Sequence, residues 1–220
     1  MKTVGLPGVI QKNNRLFTKN LESSKGIIVY NETLKTIDKV EYRTWNPYRS
    51  KLAAALHKQV KHISLTEDAT VLYLGAATGT TVSHLSDIVS KGVIYAVESS
   101  ALAMQQLLKV VEHRKNIIPL LASARHPDRY QPIVPLVDCV YQDISQRDQA
   151  EMFLSNVDRY LKPQGLGVLM VKARSIDVAQ SPKHVFTSVE SRLIKHGITI
   201  KDQKSLHPYE KDHAVFVVTH

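Results

Sequence analysis

Four residues of this 220-residue chain are of types that move protons, and each stands where an apolar run begins or ends. Asp143 ends "VYQD", Lys172 ends "LMVK", Lys51 lies in "NPYRSKLAAAL", and His213 opens "HAVFVV" after "YEKD". A carboxylate among two amines and an imidazole suits a weak oxygen nucleophile such as a hydroxyl. The carboxylate accepts or steers the proton, and its neighbours hold the reacting groups in line. A lysine here is also a candidate base. A second ammonium and removal from water favour its neutral form, whereas the carboxylate favours the charged form; spacing leaves that balance open. Taken singly, each lysine is an ordinary surface charge, Asp143 a cap for a helix near Arg147, and His213 an edge-strand histidine. Only their joint placement makes a site.

The elements that must position these groups begin at residue 46. Asn46 suits an N-cap and Pro47 the first helical position, with Leu52, Leu56, Val60 and Ile63 recurring at helical spacing. This places Arg49 and Lys51 in a first turn, where the helix dipole disfavours cations. They are tolerated there if they face an anion, either Asp143 or a phosphate. Strands then alternate with helices. The strands are "TVLYLG" (70–75), "GVIYAVES" (92–99), "NIIPLL" (116–121), "LVDCVYQD" (136–143) and "GLGVLMVKA" (165–173). Helices are expected over 80–90, 101–113, 147–161 and 183–195. "GITIKDQ" and "HAVFVVT" follow, joined without a helix and so antiparallel neighbours. Repeated strand–helix units make an α/β, doubly wound sheet, whose ligands sit beyond the carboxyl ends of the strands. Residues 1–44 read as a small β-rich domain, with a hairpin at Asn13-Asn14 and strands in "GIIVYNETL" and "TIDKVEYRTW"; residues 45–220 form the second domain.

"LYLGAATGTT" (72–81) joins the first of these parallel strands to a helix. Gly75 and Gly79 allow close backbone approach, and the helix N-terminus offers free N–H groups. Glu98 ends the next strand, where a carboxylate accepts hydrogen bonds from ribose hydroxyls. The turn lacks the dinucleotide pattern G-x-G-x-x-G, with Ala77 third and Thr80 sixth, and it has no P-loop lysine. It suits a small zwitterionic tail better than a pyrophosphate, which points to S-adenosylmethionine (SAM).

The chain carries 29 Lys+Arg against 20 Asp+Glu, a formal charge of +9, which favours a polyanionic partner such as nucleic acid. With 43% apolar residues it can bury a sizeable core, and no run of about 18 apolar residues suggests a membrane span. Cys139 is the single cysteine, so neither a disulfide framework nor a cysteine-based zinc site is expected, and no metal is called for. The N-terminus lacks a signal-peptide pattern, and a cytoplasmic protein is expected.

Six segments together are specific: "EYRTWNPYRSKLAAAL", "VLYLGAATGTT", "YAVESS", "DCVYQDISQRDQAEMF", "VKARSIDV" and "PYEKDHAVFV". In order and spacing the chain from Glu41 onward resembles the fibrillarin family of SAM-dependent RNA 2′-O-methyltransferases. The absence of a Gly/Arg-rich tail makes it similar to the archaeal form. The resemblance implies a Rossmann-like methyltransferase fold, seven-stranded with the last strand antiparallel, behind a small N-terminal β-rich domain. It implies a catalytic set at Lys51, Asp143, Lys172 and His213. Cofactor contacts are implied at Thr80, Thr81, Glu98, Ser99, Ser123 and Ala124, and along Asp143, Ile144, Ser145 and Gln146, beside Gly75 and Gly79. It implies a box C/D ribonucleoprotein in which a guide RNA selects the ribose in rRNA or tRNA. A Nop-type scaffold protein would hold the enzyme, and a kink-turn-binding protein would complete the particle. Two positions depart from the family pattern: Ser123 stands where aspartate is usual beside the adenine, and Arg147 where proline is common. The alternatives are a catalytically weak RNA-binding assembly subunit, or a SAM-dependent methyltransferase acting on protein or a small molecule.

Overall fold

The computed structural model describes residues 2–220. Asn13 and Asn14 adopt left-handed φ angles of 49° and 57°, the conformation a two-residue hairpin of this hand demands. They fold β2 (Val9–Lys12) onto β3 (Arg15–Lys19). Asp38 and Lys39, at 51° and 66°, do the same between β4 (Leu34–Ile37) and β5 (Val40–Trp45). With β1 (Lys2–Thr3) these make an antiparallel sheet of order β1-β2-β3-β5-β4. Two expectations change here. "TIDKVEYRTW" is a hairpin and not one strand, and residues 27–33 hold no strand. There Glu32 turns inward and its carboxylate takes the N–H groups of Val29 (3.0 Å) and Tyr30 (2.7 Å), donors a sheet ladder would have used.

The next helix also starts later than the sequence suggests. Asn46 caps only a turn, accepting from the Tyr48 N–H at 2.9 Å. The helix α1 spans Lys51–His57 with Ser50 as N-cap, so Arg49 stays in the turn and Lys51 becomes the first helical residue. Gln59, at φ 55°, ends the helical path; Val60 and Ile63 are still buried, from the loop that follows.

From there the chain alternates: β6 (Thr70–Leu74), α2 (Thr80–Ile88), β7 (Val93–Glu98), α3 (Ala101–Val111), β8 (Ile117–Leu121), β9 (Val137–Gln142) and α4 (Gln149–Tyr160). Then come β10 (Leu161–Lys172), the short α5 (Ala173–Ile176), α6 (Pro182–Lys195), β11 (Thr199–Ser205) and β12 (His213–Thr219). The seven strands lie in the order β11-β12-β10-β9-β6-β7-β8, with β12 antiparallel to both neighbours. This is the expected α/β sheet with its last strand antiparallel. The strand order reverses between β6 and β9, which opens a crevice beyond their carboxyl ends.

Both faces of the sheet are covered. Val71, Tyr73, Cys139, Tyr141, Val168, Met170, Val215 and Val217 point to one side, and α1, α2, α3 and the first sheet pack on them. Leu72, Leu74, Val140, Leu169 and Val171 point to the other, under α4 and α6. Cys139 is part of the first face, its thiol pushed up by burial, so it is core and not a reactive group.

A buried ion network joins the first sheet to α2. Asp87 accepts from Arg43 Nη1 (2.8 Å), Arg114 Nη1 (2.6 Å) and Thr18 Oγ1 (2.6 Å). Arg43 also forks onto Glu32 through Nε (2.8 Å) and Nη2 (2.6 Å). Two guanidiniums against two carboxylates leave the network neutral without His84. Because Thr18 donates to Asp87, its oxygen accepts from Nδ1–H of His84 at 2.7 Å, and Nε2 lies 2.7 Å from the Tyr30 hydroxyl, whose proton also faces the Thr44 carbonyl at 3.2 Å. His84 is held neutral by its surroundings: burial, then Arg43 and Arg114, push it well below the ordinary imidazole value of 6.5. The unfolded chain protonates His84 below that value and the folded chain resists. Stability present above pH 6.5 is therefore lost on acidification, by up to about 1.4 kcal/mol per pH unit for one proton. Urea unfolding between pH 7.5 and 5.5 should show a steeper loss in the parental protein than in His84→Gln; parallel curves would remove His84 from the account.

Candidate active site

Register decides which strand-end residues meet. Lys172 of β10 lies directly opposite His213 of β12, so their side chains share a face. Val168 pairs with Tyr141 of β9, and Tyr141 with Tyr73 of β6. Counting by twos, Asp143, Lys172 and His213 all fall on the face covered by α1, at its carboxyl edge. Lys51, the first residue of α1, closes the group: its Nζ donates to Asp143 Oδ1 at 2.8 Å, with both side chains mostly buried. This contact explains a cation at a helix N-terminus. The attraction of the carboxylate offsets the unfavourable dipole.

The four residues are not all in contact. The ammonium of Lys172 has no hydrogen-bonding partner among the described residues, and neither has Oδ2 of Asp143. The His213 ring donates Nδ1–H to the Lys211 carbonyl at 2.7 Å, which leaves Nε2 as an acceptor. Burial and then the charge of Lys51 push His213 below 6.5, against the opposing pull of the Lys211 carbonyl, Glu210 and Asp143. At neutral pH it is an uncharged imidazole.

Two positioning residues escape a reading by motif. Gln149, fully buried, accepts from the Lys172 N–H (3.0 Å) and donates to the carbonyls of Lys172 (3.3 Å) and Gln146 (2.7 Å). It thereby fixes the end of β10 against the loop after β9. Ser50 caps α1 and accepts from Thr81 Oγ1 at 3.0 Å, which ties the helix carrying Lys51 to α2. A short polar residue just before "KLAAAL" was the available signal for Ser50; for Gln149 the sequence offers none.

Beside Asp143 a cavity of ≈ 280 Å³ opens at the crevice between β6 and β9. It is lined by Gly75, Glu98, Ser99, Ser123, Ala124, Asp143, Ile144, Ser145 and Gln146 among the expected cofactor contacts. Glu98 is aimed by two backbone donors, Ala77 N–H to Oε2 (2.8 Å) and Ser100 N–H to Oε1 (2.7 Å). Each oxygen keeps a lone pair for a further donor such as a ribose hydroxyl. Val97, Ala122, Ile144 and Met152 give the cavity apolar walls that suit an adenine ring, and Gln146 Oε1 is buried there without a partner. An acidic end, apolar walls and an orphaned acceptor fit an adenosine.

Gly79, Thr80 and Thr81 lie outside this lining. Thr81 is turned into the core toward Ser50, and Thr80 lines a separate cleft with Arg49. Gly75 borders the cavity, and both glycines also serve the packing of the turn. At φ 83°, a Cβ on Gly75 would stand 2.6 Å from the Asp143 carbonyl, and one on Gly79, at 103°, 2.9 Å from Val110. They allow the turn to pack against the β9 end and against α3.

Comparison with known proteins identifies the relatives of this chain. A family model described as fibrillarin matches residues 4–220. A fibrillarin-like rRNA/tRNA 2′-O-methyltransferase of Methanothermobacter thermautotrophicus is 46% identical over 214 residues, covering 97% of this chain and 95% of its own length. The fibrillarin of a fibrillarin/Nop5p complex superposes with a TM-score of 0.88 at 45% identity, covering 97% of both chains. Aeropyrum pernix fibrillarin with natively bound S-adenosyl-L-methionine gives a TM-score of 0.85 at 40% identity, covering 96% of this chain and 93% of that one. The chain belongs to the fibrillarin family.

Proposed function

We propose that Lys51, Asp143, Lys172 and His213 are the residues with which this SAM-dependent RNA 2′-O-methyltransferase activates a ribose hydroxyl. The observation that carries the proposal is the 2.8 Å Lys51–Asp143 pair at the mouth of the adenosine-shaped cavity. SAM, when bound, supplies an electrophilic sulfonium methyl. Asp143 uses its open Oδ2 to accept the 2′-hydroxyl and take its proton as the O–C bond forms and the S–C bond breaks. Lys51 holds that carboxylate in place. Lys172 balances the negative charge growing on the oxygen. His213 orients the ribose through Nε2.

The enzyme acts within a particle. It works on rRNA or tRNA, a guide RNA chooses the ribose, a Nop-type scaffold holds the protein, and a kink-turn-binding protein completes the assembly. Support comes from the complex with Nop5p formed by a 45% identical fibrillarin, from the name of the 46% identical relative, and from the +9 charge. In this reading residues 1–44 form a supporting β-rich domain and 45–220 the catalytic domain, on the strength of the two separate sheets. Among the described residues no helix is long and apolar enough to cross a membrane. The relatives are archaeal, and we place the protein in the cytoplasm.

Two results test this reading. His213 must be neutral to accept a hydrogen bond, so the single-turnover rate should hold as pH falls to 6.5 and decline only below it. His213→Asn should lose that acidic limb; a limb unchanged in the variant would assign it elsewhere. Glu98→Ala should weaken SAM binding by about 1.5–3 kcal/mol, the usual worth of hydrogen bonds to a charged group. Calorimetry on the folded variant reads this directly, and unchanged affinity would take Glu98 out of the cofactor site.

A further inference from the structure

Asp148 is the N-cap residue of α4, yet its side chain does not cap the helix. At the same place in α1, α3 and α6 a serine hydroxyl accepts a backbone N–H, from Ala53, Ala103 and His184. Aspartate is among the best capping residues, so α4 forgoes a bond that its sequence could supply. The carboxylate turns instead to Arg125. Nε of Arg125 donates to Oδ2 and Nη2 to Oδ1, both at 2.6 Å. A parallel two-bond fork is the strongest geometry open to this pair. The hydrogen bond from Arg125 is the main reason Asp148 lies below the ordinary carboxylate range, so the carboxylate is charged throughout the neutral range.

The two partners stand on the two loops that wall the cofactor cavity. Arg125 follows Ser123 and Ala124 after β8, and Asp148 follows Ile144, Ser145 and Gln146 after β9. Those five residues line the cavity, whereas Arg125 and Asp148 line a neighbouring cleft of ≈ 580 Å³ together with Arg147 and Ile176. The pair thus bridges the rim between cavity and cleft, where the two loops would otherwise part. At its base the loop after β8 is already tied to α4, because the fully buried Asn156 donates to the Ala124 carbonyl at 2.9 Å. What Arg125 adds lies at the rim. There its own N–H donates to Ser123 Oγ at 3.3 Å, which couples the Ser123 side chain to the placement of Arg125. With side chains 46% and 38% exposed, the pair adds little to the stability of the fold.

We propose that Arg125 and Asp148 are positioning residues for the cofactor, a clasp that holds the two loops closed over the adenosine of SAM and slows its departure. Neither touches the cofactor; they act through Ser123 and Ala124 on one loop and residues 144–146 on the other. Because Ser123 carries no charge, Asp148 is the one carboxylate within ion-pair range of Arg125 among the described residues. A pair kept only for the fold would serve α4, and α4 instead loses its cap by it. The inference rests on the cavity beside Asp143 being the SAM site, and it adds two residues that reading does not contain.

The test uses the full chain and SAM, with affinity read by calorimetry and dissociation by surface plasmon resonance. Arg125→Gln and Asp148→Asn should each raise the Kd about fivefold at low salt, the upper end for an exposed pair. The change should appear in the dissociation rate. The double variant should be no worse than the weaker-binding single one, because either change opens the same clasp. At about 1 M salt, where the pair is screened, parental and variant affinities should converge. The urea midpoint of Asp148→Asn should not fall, because asparagine caps as well as aspartate and is free to do so once Arg125 is released. Parental affinity and dissociation rate in both single variants would overturn the proposal. So would a lowered urea midpoint with unchanged SAM binding, which would make the pair structural. Glu98→Ala separates the clasp from the cofactor assignment. Unchanged affinity there would move SAM out of the cavity and the clasp would fall with it, whereas weakened binding there with parental binding in the clasp variants would overturn the clasp alone.

Discussion

Asp143→Ala should lower the methyl-transfer rate by about 10²–10⁴-fold, the usual worth of a positioned acid–base group. The carboxylate has no substitute at the site. Oδ1 is engaged by Lys51 at 2.8 Å, and Oδ2 is the acceptor left for the hydroxyl. Lys51→Ala should cost a similar factor, because it frees the carboxylate to rotate. The double variant should then be little slower than the worse single one, since residues acting as a unit lose their effect together. Multiplying losses would show that Lys51 and Asp143 act separately. Lys172→Ala should also lose about 10²–10⁴-fold while SAM affinity stays at the parental value, because Lys172 does not line the cofactor cavity. Asp143 does line it, so its loss can weaken SAM binding as well. Single-turnover methylation in the assembled particle separates these effects from assembly.

Asp87→Ala should destabilise the fold by about 3–5 kcal/mol, the cost of breaking a buried ion pair from one side. The side chains of Asp87 and Arg43 are fully buried and that of Arg114 is 1% exposed, so two guanidiniums would lose their shared carboxylate without gaining water. A large share of the stability of a typical domain is at stake. The loss should reach the active site too, because Arg43 and Asp87 fix α2 against the first sheet, and α2 carries Thr81, which bonds the cap of α1. Urea unfolding measures the change. A loss under 1 kcal/mol would mean that water enters the network or that Glu32 suffices for both arginines.

The parallel strands were legible because each is a continuous apolar run ending at a chemically distinct residue, as in "VYQD" and "LMVK". Asp143, Lys172 and His213 could be placed on one edge from strand ends alone, and register then placed them on one face. Lys51 was legible as an oddity, a cation where the helix dipole disfavours one. The start of its helix was not. "NP" imitates a cap and first turn, and draws attention from Ser50, the true cap, which accepts from the Ala53 N–H at 3.4 Å and from Thr81. Residues 27–33 have strand composition, but Glu32 takes the backbone donors that a strand would need. No local pattern shows that, because the carboxylate is drawn inward by Arg43, 11 positions away. Thr80 and Thr81 lie outside the lining of the cavity for a related reason: an αL glycine before a helix fixes the backbone, and packing decides where the next side chains go.

The central claim is that this chain carries methyl from SAM to one ribose oxygen. The most direct measurement is tritiated-methyl transfer in a particle reconstituted with guide RNA, a Nop-type scaffold and a kink-turn-binding protein. Two target RNAs should be compared, identical except for a 2′-hydroxyl or a 2′-hydrogen at the guided nucleotide. The account predicts label in the first RNA alone, falling about 10²–10⁴-fold with Asp143→Ala. Equal label in the deoxy-substituted target, or label on protein in place of RNA, would contradict it.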